Sequence, residues 1–367
     1  MTVFVCIGTI AELIKTTPVI LALRNDGVKV VGIATGQNDL SKSDLFANAF
    51  PNGIETQVTN GPRNPTPISL VLWFLRCFVK APFVFKKVFK ATTTNQYFLI
   101  VHGDTLSTLL GAFAGWLVGG KIVHLEAGLR SFRLLRPFPE EICRRLVTCF
   151  TTVAFCPGEW AMGNLSHSKS TKKINTEENT LLDAMRLALD VRCLSEIIPV
   201  EKFCLFVLHR QENLLDKGFV RYAVKLIEEM SKKMSCVVVL HEPFREVLRS
   251  LNLLERIVQA THVKPIPRQP YISFTHLLAK AEYVITDGGS NQEECYYLGK
   301  PCLLLRQETE RQEGLGKNVV LSKKEKSTIQ DFLIDPTNWK KVPVQSTVFP
   351  SKIVAKTLKN YLKNTRS

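Results

Sequence analysis

Three carboxylates, one histidine and several cations stand at the ends of apolar runs. Asp104 follows QYFLIVHG, Glu126 closes KIVHLE, and Glu140 opens EEICRR after Pro139. His209 and Arg210 follow KFCLFVL, and the run TDGGSNQEE follows AEYVI. Taken singly, each has a plain structural reading. An Asp after a strand commonly caps a helix, and paired glutamates are good first-turn residues. Their joint placement fits a phosphate-bearing substrate and a proton to be moved. Lys15, Arg210 and Arg311, with the turn Gly288, Gly289 and Ser290, could neutralise a diphosphate. Asp104, Glu126 and Glu140 could take or give protons, work that contributes about 10²–10⁴-fold per positioned group. Crowded carboxylates raise one another's pKa, so one can serve as acid while another serves as base. No metal is demanded, because the phosphates already have basic partners.

Such residues need a scaffold that delivers them to one place. TVFVCIG, VKVVGIAT, QYFLIVHGD, KIVHLEA and TVAFCPG read as buried parallel strands alternating with helices, a pattern that KFCLFVLHR, SCVVVLHEP, AEYVITDGG and KPCLLLRQE repeat. The pattern predicts an α/β chain of two doubly wound, Rossmann-like domains. Ligands in such sheets bind beyond the carboxyl ends of the strands. The charged stretch HSKSTKKINTEENT (His167 to Thr180) reads as the connection, giving domains at 1–175 and 180–345. The tail at 350–367 reads as an amphipathic helix that packs on either domain.

The 367 residues, 45% hydrophobic and 22% charged, suffice for two cores. A formal charge of +15 favours anionic partners. Nucleic acid is not among them, since the cations are not interleaved with aromatics in any recognisable binding module. The ten cysteines form no CxxC pair and read as buried free thiols. With no signal peptide at the N-terminus, the expectation is a cytoplasmic protein. The apolar stretch Ile68 to Lys90 carries Arg76, Lys80, Lys87 and Lys90 as a helical basic stripe. Arg76 and Lys80 argue against a transmembrane helix. A helix covering the first sheet is the reading adopted, with peripheral contact to an anionic membrane as the alternative.

The motifs GTIAELIK, HGDT, HLEAGLRSF, PFPEEICRRL, HRQEN, DGGSNQEE and ETER, in this order, resemble those of the non-hydrolysing UDP-N-acetylglucosamine 2-epimerases. The resemblance runs from Gly8 to about Arg311. It implies a GT-B architecture, two Rossmann-like domains facing one cleft. It also implies interconversion of UDP-GlcNAc and UDP-ManNAc through a 2-acetamidoglucal, without external cofactor. By motif, Asp104, Glu126 and Glu140 match the acid–base carboxylates and His209 the active-site histidine. Lys15, Arg144, Glu294 and Arg311 match positions that hold uridine, ribose or diphosphate. Homodimers and surface-polysaccharide synthesis are implied too. A hydrolysing 2-epimerase, a GT-B glycosyltransferase and a weakened nucleotide-sugar-binding protein are the alternatives. The pattern departs at Ile10 and Ala11, where the family reads Arg-Pro, and at Asn38, which follows TGQ in place of a histidine. It departs again at Gln211 of HRQE, at Gly288 in place of serine, and at Ser290 in place of glycine. Ile10 leaves the phosphates one arginine fewer.

Overall fold

The structure, a computed structural model, describes residues 2–62, 67–92, 96–134, 138–193 and 197–364. These divide into two compact units, Met1–Leu187 with Thr347–Ser367, and Ala188–Ser346. The first holds a parallel sheet of β1 (Thr2–Ile7), β2 (Lys29–Ala34), β3 (Thr56–Gln57), β4 (Phe98–His102), β5 (Lys121–Leu125), β6 (Thr151–Cys156) and β7 (Lys172–Asn175), ordered β3-β2-β1-β4-β5-β6-β7. The second holds β8 (Phe203–Val207), β9 (Ser235–Leu240), β10 (Val263–Pro267), β11 (Val284–Thr286), β12 (Cys302–Leu304) and β13 (Val319–Leu321), ordered β10-β9-β8-β11-β12-β13. Both are doubly wound, and each reverses direction beside its first strand, between β1 and β4 and between β8 and β11. That reversal is where open α/β sheets bind ligands.

The central strands are largely apolar because helices cover both faces. In β1, Val3, Val5 and Ile7 face Val354, Leu358 and Leu362 of the C-terminal helix Pro350–Asn364 and Leu13 and Ile20 of helix Ile10–Asn25. Phe4 and Cys6 face the opposite layer, with Leu110 and Ala114 of helix Leu106–Leu117. The second sheet alternates likewise, Phe206 and Cys204 on one face, Leu205 and Val207 on the other. All ten cysteines are free thiols, eight of them buried.

Two sequence expectations need correction. The stretch His167 to Thr180 is more than a connection: Lys172–Asn175 pairs with β6 as the edge strand β7. Edge strands tolerate lysine, which hides them from a strand-pattern reading. β10 is hidden similarly, its Pro265 and Pro267 being admissible only at a sheet edge. The helix Thr180–Asp190 belongs to the first unit as far as Leu187, because Asp183 accepts from the Ser351 backbone N–H at 2.8 Å.

The helix Pro67–Lys90 buries Trp73, Cys77, Ala81, Phe85 and Phe89 on the first sheet's layer. Each large side chain so buried contributes roughly 1.5–3 kcal/mol. Its covering role is therefore realised on one face. The rest of the helix is exposed and mixes apolar side chains, Val79 by 65% and Phe83 by 74%, with Arg76, Lys80, Lys86 and Lys87. By length and apolarity alone, Ile68–Lys90 would suffice to cross a bilayer, so Arg76 and Lys80 do not by themselves disqualify it.

Candidate active site

In the first unit, β4 and β5 pair with His102 opposite Leu125, so Asp104 and Glu126 emerge at the same sheet edge. The intervening turn is held from below. Buried His124 donates through Nε2 to the Gly103 carbonyl at 2.7 Å, and burial lowers its pKa to about 4, keeping it neutral. Glu126 has a φ of +58°, a left-handed conformation that side chains other than glycine rarely adopt. Strain of this kind persists only where surrounding contacts enforce it, and it clusters at functional sites. Here the enforcing contacts are Lys15 Nζ, 2.5 Å from Glu126 Oε2, and the Asn179 amide, which donates to the same oxygen.

Lys15 is aimed by helix Ile10–Asn25, whose start is a capping box of Thr9 and Glu12. Glu12 does more than cap. It accepts from the Gly8 N–H at 2.7 Å and from the hydroxyl of Thr105, which caps helix Leu106–Leu117. It thus ties the end of β1 to the end of β4. Burial raises its pKa to about 7, against the pull of those hydrogen bonds. Two departures from the family pattern meet here, since the Ile10 N–H donates to Asn38 Oδ1 at 3.4 Å.

Helix Glu140–Phe150 supplies Arg144, which lies 2.5 Å from Asp104 Oδ2 and 3.3 Å from Glu141 Oε2. Glu141 is fully buried and also accepts from the Ser131 N–H at 3.0 Å, fixing the loop after β5. Glu140 opens the helix, where its charge suits the dipole. Asp104 and Glu140 share a neighbour in Cys143, whose thiol burial pushes up to about 12 with help from both carboxylates. Lys15, Asp104, Glu126, Glu140 and Arg144 therefore share one end of one sheet. Two of these carboxylates are ion-paired, Glu126 to Lys15 and Asp104 to Arg144.

In the second unit β8 and β11 pair with Val207 opposite Thr286, which sets His209 beside Asp287. Asp287 is fully buried and organises the loop. It accepts from the backbone N–H groups of His209 (3.1 Å) and Arg210 (2.9 Å) and from Asn213 Nδ2 (2.9 Å), and it sits 3.1 Å from His209 Nδ1. The His209 ring keeps a solvent-facing edge, its side chain being 39% exposed. Desolvation of the remainder lowers its pKa against the opposing charge of Asp287, and Arg210, Arg268 and Arg306 lower it further. His241, with its ring centroid 5.2 Å away, is lowered to about 4 by burial and by His209.

Helix Gly289–Tyr297 follows, with Gly288 at its N-cap and no side-chain cap. Gly289 and Ser290 form its first turn, and a side chain at 289 would come within 3.2 Å of Arg311 Nε. Arg311 is bound to buried Glu293 at 2.5 Å, and Glu294 accepts from Asn291 Nδ2 at 3.0 Å. Arg210 is the loosest of the expected phosphate-binding cations, 3.9 Å from Glu310, whereas Lys15, Arg144 and Arg311 are each committed to a carboxylate. Among the described residues, no cluster of three or more His, Cys, Asp or Glu could hold a metal ion.

Sequence reasoning did not assign roles to Glu12, Glu141, Asn179, Asn213, Asp287 or Glu293. Glu12 carried a usable signal, the Thr-x-x-Glu spacing of a capping box. The others are defined by partners far away in sequence.

Comparison with known proteins identifies the family and the fold. The family model described as UDP-N-acetylglucosamine 2-epimerase matches residues 83–346. A UDP-N-acetylglucosamine 2-epimerase of Methanococcus maripaludis is 35% identical over 232 residues, 60% of this chain; the match spans 63% of that protein, under two thirds of its length. A UDP-2,3-diacetamido-2,3-dideoxy-D-glucuronate 2-epimerase of Pseudomonas aeruginosa is 33% identical over 233 residues, 61% of this chain and 63% of that protein. The crystal structure of the Neisseria meningitidis UDP-GlcNAc 2-epimerase bound to UDP-GlcNAc superposes with a TM-score of 0.82 at 26% identity, covering 99% of this chain and all of that one. The doubly wound sheets are thus those of GT-B-like epimerases, and the chain belongs to the UDP-N-acetylglucosamine 2-epimerase family.

Proposed function

We propose that the protein interconverts UDP-GlcNAc and UDP-ManNAc. A base removes the proton from C2 of the sugar as the bond from C1 to the UDP oxygen breaks, leaving a 2-acetamidoglucal. The proton returns to C2 on the opposite face and UDP re-forms its bond to C1. The sequence of steps is redox-neutral and calls for no cofactor. Inversion at C2 requires proton-transfer groups on both faces of the sugar, and Asp104, Glu126 and Glu140 are the candidates. The observation that carries the reading is Glu126, held in a strained backbone by Lys15 and Asn179 at the sheet edge that also presents Asp104. Lys15 and Arg144 then have two roles, orienting carboxylates and adding positive charge for a leaving diphosphate.

In the second unit, His209, Arg210, Arg311 and the turn at Gly288, Gly289 and Ser290 form the proposed nucleotide seat, with Glu294 for the ribose hydroxyls. Asp287 acts through His209 by fixing its ring. The protein would work in the cytoplasm and feed surface-polysaccharide synthesis. A homodimer accords with the apolar face of helix Pro67–Lys90, where Phe78 stacks on Phe113 at 4.8 Å and the patch continues to exposed Trp116.

The Pseudomonas relative favours testing a second substrate, a UDP-sugar carrying a further acetamido group and a carboxylate. Incubating the protein separately with UDP-GlcNAc and with that sugar, and resolving the products by chromatography, tests the assignment. UDP-ManNAc from UDP-GlcNAc is expected. Free ManNAc plus UDP would mark a hydrolysing enzyme, and turnover of the acidic sugar alone would move the substrate assignment.

A further inference from the structure

The glycine at 288 stands where the family pattern carries serine, and the structure supplies a physical reason. A Cβ at 288 would lie 2.6 Å from Asn291 Oδ1 and 3.0 Å from His209 Cε1. The space that a side chain would need is taken by an amide reaching back from the first turn of the helix. That amide has a defined orientation. The Gly288 N–H donates to Thr286 Oγ1 at 3.0 Å, leaving the threonine hydroxyl to donate to Asn291 Oδ1, also at 3.0 Å. Asn291 Nδ2 is thereby turned onto Glu294 Oε2 at 3.0 Å, and a carboxylate oxygen can only accept there. Glu294 is 2% exposed, and the neighbouring phenol of Tyr271 is raised well above its usual pKa by burial first and by the Glu294 charge second.

We infer that Asn291 is a positioning residue for Glu294, and that Gly288 leaves the space the Asn291 amide occupies. The chain Gly288–Thr286–Asn291–Glu294 then sets which way the Glu294 carboxylate points. A serine at 288 would displace the amide and remove its hydrogen bond to Glu294, beside which the Tyr271 phenol also lies. The inference rests on the proposed role of Glu294 as the seat of the ribose hydroxyls.

Calorimetric titration of UDP and of 2′,3′-dideoxy-UDP into the full-length protein and its variants tests it. The unaltered protein is expected to prefer UDP. Asn291→Ala should weaken UDP about tenfold, the loss of one hydrogen bond to a charged group, and leave dideoxy-UDP unchanged. Gly288→Ser should weaken UDP as well, and adding Asn291→Ala to it should cause no further loss. Undiminished preference for UDP in Asn291→Ala, or additive losses in the double variant, would overturn the inference. Equal binding of both ligands by the unaltered protein would instead overturn the ribose seat, and the inference with it. Thermal unfolding of each variant identifies any that fails to fold, and Asn291→Ala, which only removes atoms, decides the matter if Gly288→Ser does not fold.

Discussion

The guanidinium of Arg144 joins Asp104, 2.5 Å away, to the fully buried Glu141, 3.3 Å away. Arg144 is itself 96% buried in its side chain, so the pair is shielded from solvent screening. Asp104→Asn preserves the shape and an acceptor for Arg144 but removes a proton-transfer group. It is expected to abolish proton exchange at C2 while leaving UDP affinity within about threefold; one hydrogen bond to an ion is at stake, not the fold. Arg144→Ala should instead lower stability by about 1.5–3 kcal/mol, because buried Glu141 loses one charged partner and keeps Arg145 and Ser131. Exchange assays and urea unfolding on both variants separate the two effects.

Glu12 predicts a pH dependence of stability. Burial raises its pKa from the usual 4.5 to about 7, so the folded state holds a proton that the unfolded chain releases between those values. The resulting stabilisation is fully present below pH 4.5, declines as the pH rises, and is gone above about pH 7. Its size is on the order of 3 kcal/mol. Glu12→Gln, which mimics the protonated form and can donate to Thr105, should flatten this part of the curve. Urea midpoints at pH 5 and pH 8 check it, and an unchanged slope in the variant would assign the dependence elsewhere.

Asp287 transfers no proton in this account, yet it holds the loop that carries His209. Asp287→Ala would leave two backbone N–H groups and the Asn213 amide without their acceptor. Each stranded donor costs about 1–3 kcal/mol. A loss of at least 3 kcal/mol is expected in thermal or urea unfolding, together with weakened UDP binding as His209 loses its anchor.

The exposed face of helix Pro67–Lys90 offers a further test. Val79→Glu with Phe83→Glu should convert a dimer into a monomer by light scattering without lowering the unfolding temperature, since both side chains point outward. A protein already monomeric, sedimenting with anionic but not neutral liposomes in a manner lost in Arg76→Ala with Lys80→Ala, would assign the face to a membrane surface instead.

Much of the scaffold was legible because the central parallel strands are largely apolar and end abruptly in the polar residues they present. The runs ending at HGD, HLE and LHR gave both the sheet and the residues of interest. The edge strands β3, β7, β10 and β13 were not legible; two or three residues, lysines or prolines leave no run to detect. The site's residues could be named in advance, but their pairing could not. Lys15 and Glu126 lie 111 positions apart, and nothing local tells that a cation expected on a phosphate is held by a carboxylate. The same holds for Gly288, whose reason is an amide three residues on that folds back only once the helix exists.

The central claim is that a proton is exchanged at C2 of a UDP-sugar. The most direct measurement incubates the protein with UDP-GlcNAc in deuterated water and follows the sugar by NMR. The account predicts UDP-ManNAc bearing deuterium at C2, with deuterium also entering the remaining UDP-GlcNAc. UDP-GlcNAc that binds but acquires no deuterium would contradict it.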